Sequence, residues 1–134
     1  GEGGYKFIKL DTGMTDILRP SIYGAQHPIS ILQETPDPAE EEYIVSGHCC
    51  ESGDILTPAP GDPEGLLPRK MAKAKIGDFC VIGGAGAYCS SMCTQNYNSY
   101  PAAAEVMLMS DGSIKLIRRR QTLAQILENE VRDD

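Results

Sequence analysis

No CxxC pair occurs in the chain, and its five cysteines (Cys49, Cys50, Cys80, Cys89 and Cys93) are an odd number without the spacing of a disulfide framework. Zinc-ribbon and thioredoxin-like readings therefore lack their basic signature. Basic side chains are in deficit: 12 Lys and Arg against 19 Asp and Glu leave a formal net charge of −7. Without a basic stripe to release phosphate counterions, nucleic acid and anionic membranes are excluded as general partners. The one dense basic run, Lys115 to Arg120, abuts an acidic C-terminus. Neither a signal peptide nor an apolar run approaching the ~18 residues of a membrane span is found. A reduced, cytoplasmic protein is the expectation. The glycine-rich segments include no GxGxxG and no P-loop lysine, and there is no internal repeat. The opening "GEGGYKFIKLD" has no methionine, as expected of a processed start or of a piece of a longer protein.

What is present fits one domain of 134 residues, long enough to bury roughly two-thirds of the surface its unfolded form exposes. Alternation over Tyr5 to Leu10 predicts a strand, with Phe7 and Tyr5 on one face. Turn residues crowd "DTGMTDILRPSIYGAQHP", where one helical turn is expected from Pro20 to Tyr23. Ile29 to Gln33, Glu42 to Gly47 and Phe79 to Ile82 read as further strands. Four of the nine prolines lie in "TPAPGDPEGLLPRK", which marks a connector or sheet edge, not a central strand. "GGAGAYCSSM" is glycine-rich, then helix-compatible. The "SDGS" turn between Ala104–Met109 and Ser113–Ile117 signals a hairpin. Helical spacing over Gln121 to Val131, with Thr122 near the cap, predicts a terminal helix. Roughly seven short strands with one real helix predict a mostly β fold, a sandwich or partly closed barrel.

Reactive side chains concentrate in three loops. In the first, Arg19 and Tyr23 are four residues apart and share a face if that turn is helical. A guanidinium fork beside a phenol suits a carboxylate, although a surface arginine beside a half-buried tyrosine gives the same spacing. His27, before Pro28, reads as a loop or packing residue. The second loop is "SGHCCESGD". Glu51 beside Cys50 could orient an ammonium while the thiol donates a proton, since an ordinary thiol has a pKa of ~8.5 and is mostly protonated at neutral pH. A tight Ser52-Gly53 turn with Asp54 bonding local backbone is the plain alternative. A His48-Cys49-Cys50 metal site is poorly supported because adjacent ligands seldom converge on one ion; a vicinal disulfide would be strained. The third loop, "GGAGAYCSSM", could bring backbone N–H groups and the Tyr88 hydroxyl to a phosphate, or could simply be a tight turn. Tyr97 and Tyr100 of "NYNSYP" read as packing or interface residues.

In combination, "DTGMTDILRPSIYGAQHPI", "CESGD", "GAYCSSM", "NYNSYPAAAEV" and "IRRRQT" closely resemble the C-terminal region of diaminopimelate decarboxylases. These pyridoxal-phosphate enzymes of the alanine-racemase-like family release carbon dioxide from meso-diaminopimelate to give L-lysine. The resemblance runs from about Tyr5 to Val131, with "CESGD" and "RPxxYG" its most specific parts. It implies a two-domain enzyme whose β domain matches this chain. The (β/α)8 barrel that carries pyridoxal 5'-phosphate on a lysine has no counterpart here, because eight βα units cannot fit beside these strands. The resemblance further implies that Arg19 and Tyr23 grip the distal carboxylate of the substrate. Cys50 and Glu51 would enter the active site of a second identical subunit, Glu51 reading the distal ammonium and Cys50 donating a proton. Tyr88 would lie against the cofactor phosphate, and Asp54 would be structural or interfacial. The implied partners are the barrel domain, a second subunit and an amino-acid substrate, and the chain alone is expected to be inactive. Three departures from the pattern are Tyr100 for a common arginine, Cys89 for a common glycine, and the doubled cysteine at Cys49. An arginine, ornithine or carboxynorspermidine decarboxylase domain is the alternative, disfavoured by Glu51, where such relatives usually carry aspartate, and by Arg19, which a distal cation gives no use. A non-catalytic assembly domain is the third.

Overall fold

The computed structural model describes residues 3–131, which form nine β-strands, two short α-helices, one 3-10 turn (Tyr97–Ser99) and connecting loops. The centre is β3 (Glu40–Ser46), flanked by β1 (Phe7–Lys9), parallel to it, and β6 (Arg69–Ala72), antiparallel. Phe7 pairs with Ile44, and Glu41 with Met71. The solvent end of β3 alternates, but Tyr43, Ile44 and Val45 are all buried because both faces of the strand are covered there. Val45, Tyr43, Leu56, Met71, Ile17 and Cys89 form the core, with Ile8, Ile29, Ile31 and Ile82 packed against it. Phe7 and Tyr5 share the outer, exposed face of the first strand; Ile8 points inward.

A second ribbon pairs β2 (Ile29–Leu32) with β7 (Phe79–Ile82) antiparallel, Ile29 opposite Ile82 and Leu32 opposite Phe79. Its period of two places Ile29, Ile31, Cys80 and Ile82 toward the core and leaves Leu32, Phe79 and Val81 exposed. The proline-rich stretch folds as a small hairpin of β4 (Pro58–Ala59) and β5 (Asp62–Leu66), then enters β6 at the edge of the three-stranded sheet. That edge placement suits prolines, which cannot donate to a ladder. A separate hairpin joins β8 (Glu105–Leu108) to β9 (Ile114–Arg118) through a turn with Gly112 at φ 82°. The architecture is mostly β, as the sequence predicts, and among the described residues no sheet closes on itself into a barrel.

Two expected helical segments differ. The terminal helix is confined to α2 (Leu123–Ile126), although Thr122 and Gln125 form a full capping box. Leu123 and Leu127 are exposed, so no buried face repays extending the helix, and a short helix is marginal without one. "GGAGAYCSSM" forms consecutive turns, not a helix; glycines cost helix stability and Tyr88 adopts φ 59°.

Helix α1 (Arg19–Tyr23) forms where expected, with Pro20 in its first turn. It stops at Gly24, whose φ of 62° lets its N–H reach back to the Pro20 carbonyl. The β4–β5 hairpin lies so close that a Cβ on Gly24 would run into the backbone N of Asp62. Gln26 ties the two together by donating to the carbonyls of Gly24 and Pro58 at 3.0 and 2.9 Å. Replacing Gly24 with alanine is expected to cost about 1–3 kcal/mol. The denaturation midpoint should fall with the m-value unchanged.

Candidate functional site

After β3 the chain turns through residues 47–54 and returns along itself, closed by the Gly47 N–H donating to the Asp54 carbonyl at 2.8 Å. Asp54 is only 2% exposed. Its carboxylate accepts from the backbone N–H of Met14 at 2.8 Å and of Cys49 at 2.9 Å. One side chain thus pins the first loop to the second. Gly13 and Gly47 make room for it: a Cβ on either would collide with the carboxylate oxygens. Asp54 is a structural residue, bonded to two N–H groups that have no other route to satisfaction in so tight a space.

The segment that follows the third loop, residues 94–100, docks on the same point. Thr94 donates twice to the Met14 carbonyl, through its N–H and its hydroxyl, both at 3.0 Å. Tyr100 stacks on His48 with ring centroids 3.5 Å apart and planes 7° from parallel, and donates its hydroxyl to the His48 carbonyl at 3.2 Å. The His48 ring also meets the Thr15 hydroxyl at 2.8 Å. The tip of the loop, Cys50 and Glu51, stays exposed. Glu51 accepts from the Gly53 N–H at 3.1 Å and the Ser52 hydroxyl at 3.4 Å, which curls the tip into a turn. Asn98 meets Cys50 twice, accepting from its N–H at 3.1 Å and donating to its sulfur at 3.3 Å. Thr94, Asn98 and Tyr100 escape a motif-based reading, which takes Tyr100 for packing and leaves the other two unassigned. The local signal is the run of Asn, Ser and Pro turn residues in "QNYNSYP".

The adjacent cysteines differ in kind. Burial, and next the negative charge of Asp54, push the Cys49 thiol up to about 11, whereas Cys50 is exposed. All five cysteines are free thiols. The Tyr97 phenol is pushed up by desolvation first and then by the charge of Glu51.

Arg19 and Tyr23 sit on α1. The Arg19 Nε is buried without any hydrogen-bond partner, while Tyr23 is 56% exposed. Tyr88, 63% exposed, projects from the glycine-rich turns. Among the described residues, no hydrogen bond or ion pair joins Arg19, Tyr23 or Tyr88 to the Cys50–Glu51 tip. A surface cavity of about 530 Å³ between β1 and the β2–β7 ribbon is lined by none of the five. Arg19 and Tyr23 lie on α1, Cys50 and Glu51 on the loop that follows β3, and Tyr88 in the glycine-rich turns. His27 has a packing role: it is buried, its ring contacts the Gly83 carbonyl at 3.1 Å, and its own carbonyl accepts from Arg69. No cluster of three potential metal ligands occurs among the described residues. No helix there is long and apolar enough to cross a membrane.

Removing the Asp54 carboxylate leaves two N–H groups unpaired, so Asp54→Ala is expected to lose about 2–4 kcal/mol in denaturant unfolding. Because the folded Cys49 thiol titrates higher than an unfolded one, it holds its proton longer in the folded state. Its contribution is complete below the ordinary thiol range and is lost as pH climbs toward about 11. Unfolding free energy should fall less steeply over that interval in Cys49→Ala than in the parent chain.

The architecture and loops match known proteins. Residues 2–86 match the family model described as pyridoxal-dependent decarboxylase, C-terminal sheet domain. The chain is 39% identical over 133 residues to the diaminopimelate decarboxylase of Escherichia coli K12, covering 96% of this chain and 31% of that one. It is 36% identical to that of Streptomyces coelicolor, covering 96% and 29%. Among solved structures, a diaminopimelate decarboxylase superposes with TM-score 0.86 at 37% identity, covering 97% of this chain and 31% of that one. The Helicobacter pylori enzyme complexed with L-lysine gives 0.76 at 35%, covering 92% and 28%. The chain spans about a third of the length of the curated relatives it matches. It belongs to the pyridoxal-dependent decarboxylase family, as a C-terminal sheet domain.

Proposed function

We propose that this chain is the substrate-facing and subunit-joining domain of a cytoplasmic, homodimeric diaminopimelate decarboxylase, which converts meso-diaminopimelate to L-lysine and carbon dioxide. The observation that carries the proposal is the buried, unpartnered Nε of Arg19. A buried guanidinium N–H without an acceptor is costly, and a ligand carboxylate would satisfy it. Tyr23 lies one helical turn on and leaves its phenol accessible to the same ligand.

The Tyr88 turns suit the phosphate of pyridoxal phosphate. Tyr88 is exposed, its hydroxyl has no partner among the described residues, and the space beside Gly86 is open. Pyridoxal phosphate, when bound, supplies the electron sink that makes carboxylate loss feasible. The work of this chain is positional. Arg19 and Tyr23 hold the distal carboxylate, fixing which end of the substrate lies over the cofactor. Glu51, from a second subunit, takes the distal ammonium and discriminates against substrates whose far end is differently charged. Cys50, beside it, holds the proton at Sγ that returns to the substrate carbon. The apolar side chains left exposed on the β8–β9 hairpin and at Ile76 and Phe79 offer surface for the cofactor-bearing domain and the second subunit.

In the intact protein, Arg19→Ala should lower kcat/KM for meso-diaminopimelate on the order of a hundredfold. Glu51→Asp should lower it by about tenfold or more. Arginine, ornithine and carboxynorspermidine should be poor substrates. Unchanged kcat/KM in either variant, or preference for one of those three, would overturn the assignment.

A further inference from the structure

Asn98 meets Cys50 through both halves of its amide. The Cys50 backbone N–H can only donate, so the atom it meets at 3.1 Å is Oδ1. That fixes the amide orientation, and the atom facing the sulfur at 3.3 Å is Nδ2. The sulfur therefore accepts, and its own proton lies away from Asn98. The backbone is arranged for this contact: Asn98 has φ 53°, between Asn96 at 63° and Ser99 at 62°. Non-glycine residues occupy this left-handed region at an energetic cost, and such strain is retained where surrounding contacts over-determine it. Those contacts are present on either side. Asn96 is held by bonds from its Nδ2 to the Tyr100 carbonyl at 3.0 Å and to Gln121. Tyr100 is clamped on His48, two residues before Cys50.

We infer that Asn98 is a positioning residue for Cys50. Its amide holds the loop tip by the backbone, donates to the sulfur, and leaves the thiol proton directed outward from the clamp. The inference deepens the role proposed above for Cys50 and rests on it for its consequence in decarboxylation. The contact itself lies within this chain, so its test needs no turnover.

The reading uses this chain in a Cys49→Ala background, which removes the neighbouring thiol and retains the residue 49 N–H that bonds Asp54. Alkylation of Cys50 by iodoacetamide is followed across pH by peptide mass spectrometry. Asn98→Asp retains an acceptor for the Cys50 N–H but replaces the N–H donor at the sulfur with a carboxylate oxygen. Asn98→Gly keeps the left-handed backbone without strain and removes the amide, without adding charge. If the donor to sulfur matters, both variants melt within a few degrees of the parent, yet label Cys50 roughly three- to tenfold more slowly at neutral pH, with profiles displaced to higher pH. A merely structural role predicts a parental profile for one or both. Should Asn98→Asp misfold, the glycine variant alone decides. Coincidence of the glycine profile with the parent, or of a folded aspartate variant's, overturns the inference. Because no substrate is used, that result leaves the Arg19 and Tyr23 assignment standing, and inactivity of Arg19→Ala says nothing about Asn98.

Discussion

A single carboxylate, that of Asp54, holds the functional end of this domain together. It is buried, and it bonds the N–H groups of Met14 and Cys49, which belong to different loops. Two glycines, at positions 13 and 47, exist in the shape they do because the carboxylate fills the space their side chains would need. From that point the order spreads outward. Met14 is held through its N–H by Asp54 and through its carbonyl by Thr94, so the segment after the third loop is attached to the first two loops. A buried charge of this kind is tolerated because its oxygens are met by donors. The same packing explains why Cys49 is an inert thiol, raised by burial and by the neighbouring carboxylate, while the residue after it stands free at the tip.

Rigid attachment below and exposure above is the arrangement expected of a loop that must reach beyond its own domain. The His48–Tyr100 stack, the Asn98 bonds to Cys50 and the internal turn of Glu51 fix the tip without covering it. Left-handed conformations at Asn96, Asn98 and Ser99 place that cost in the segment that clamps the tip. On α1, the opposite condition holds. There a guanidinium nitrogen is buried and lacks an acceptor among the described residues. In the proposed sharing of a site between subunits, Arg19 and Tyr23 of one copy would face Cys50 and Glu51 of another. The apolar side chains exposed on the β8–β9 hairpin and the β2–β7 ribbon fit the same reading, since such surface is used where another domain or subunit covers it.

Local order was readable wherever periodicity or turn chemistry acts over a few residues. β1, β2, β3, β7, the "SDGS" hairpin and the turn of helix ending at Gly24 all follow from such short-range preferences. The terminal segment was misjudged in length because helical spacing says nothing about whether a partner surface exists; Leu123 and Leu127 have none in this chain. The glycine-rich segment was misjudged as helix-compatible because the left-handed φ of Tyr88 has no sequence signature. "RKMA" gains its strand character from the register it keeps with β3, where Met71 fills the core opposite Glu41.

By itself, the sequence determined the mostly β character, the acidic surface, the free thiols and, through its five motifs, the family and the identity of the candidate side chains. Those properties are carried by residue types and their short spacings. Only the tertiary structure decided what holds the candidates in place. Asp54 reaches Met14 across 40 positions, Asn98 reaches Cys50 across 48, and Thr94 reaches Met14 across 80. Such partners become neighbours only after the strands have paired and the core has closed, because a hydrogen bond acts over about 3 Å of space and is indifferent to distance along the chain.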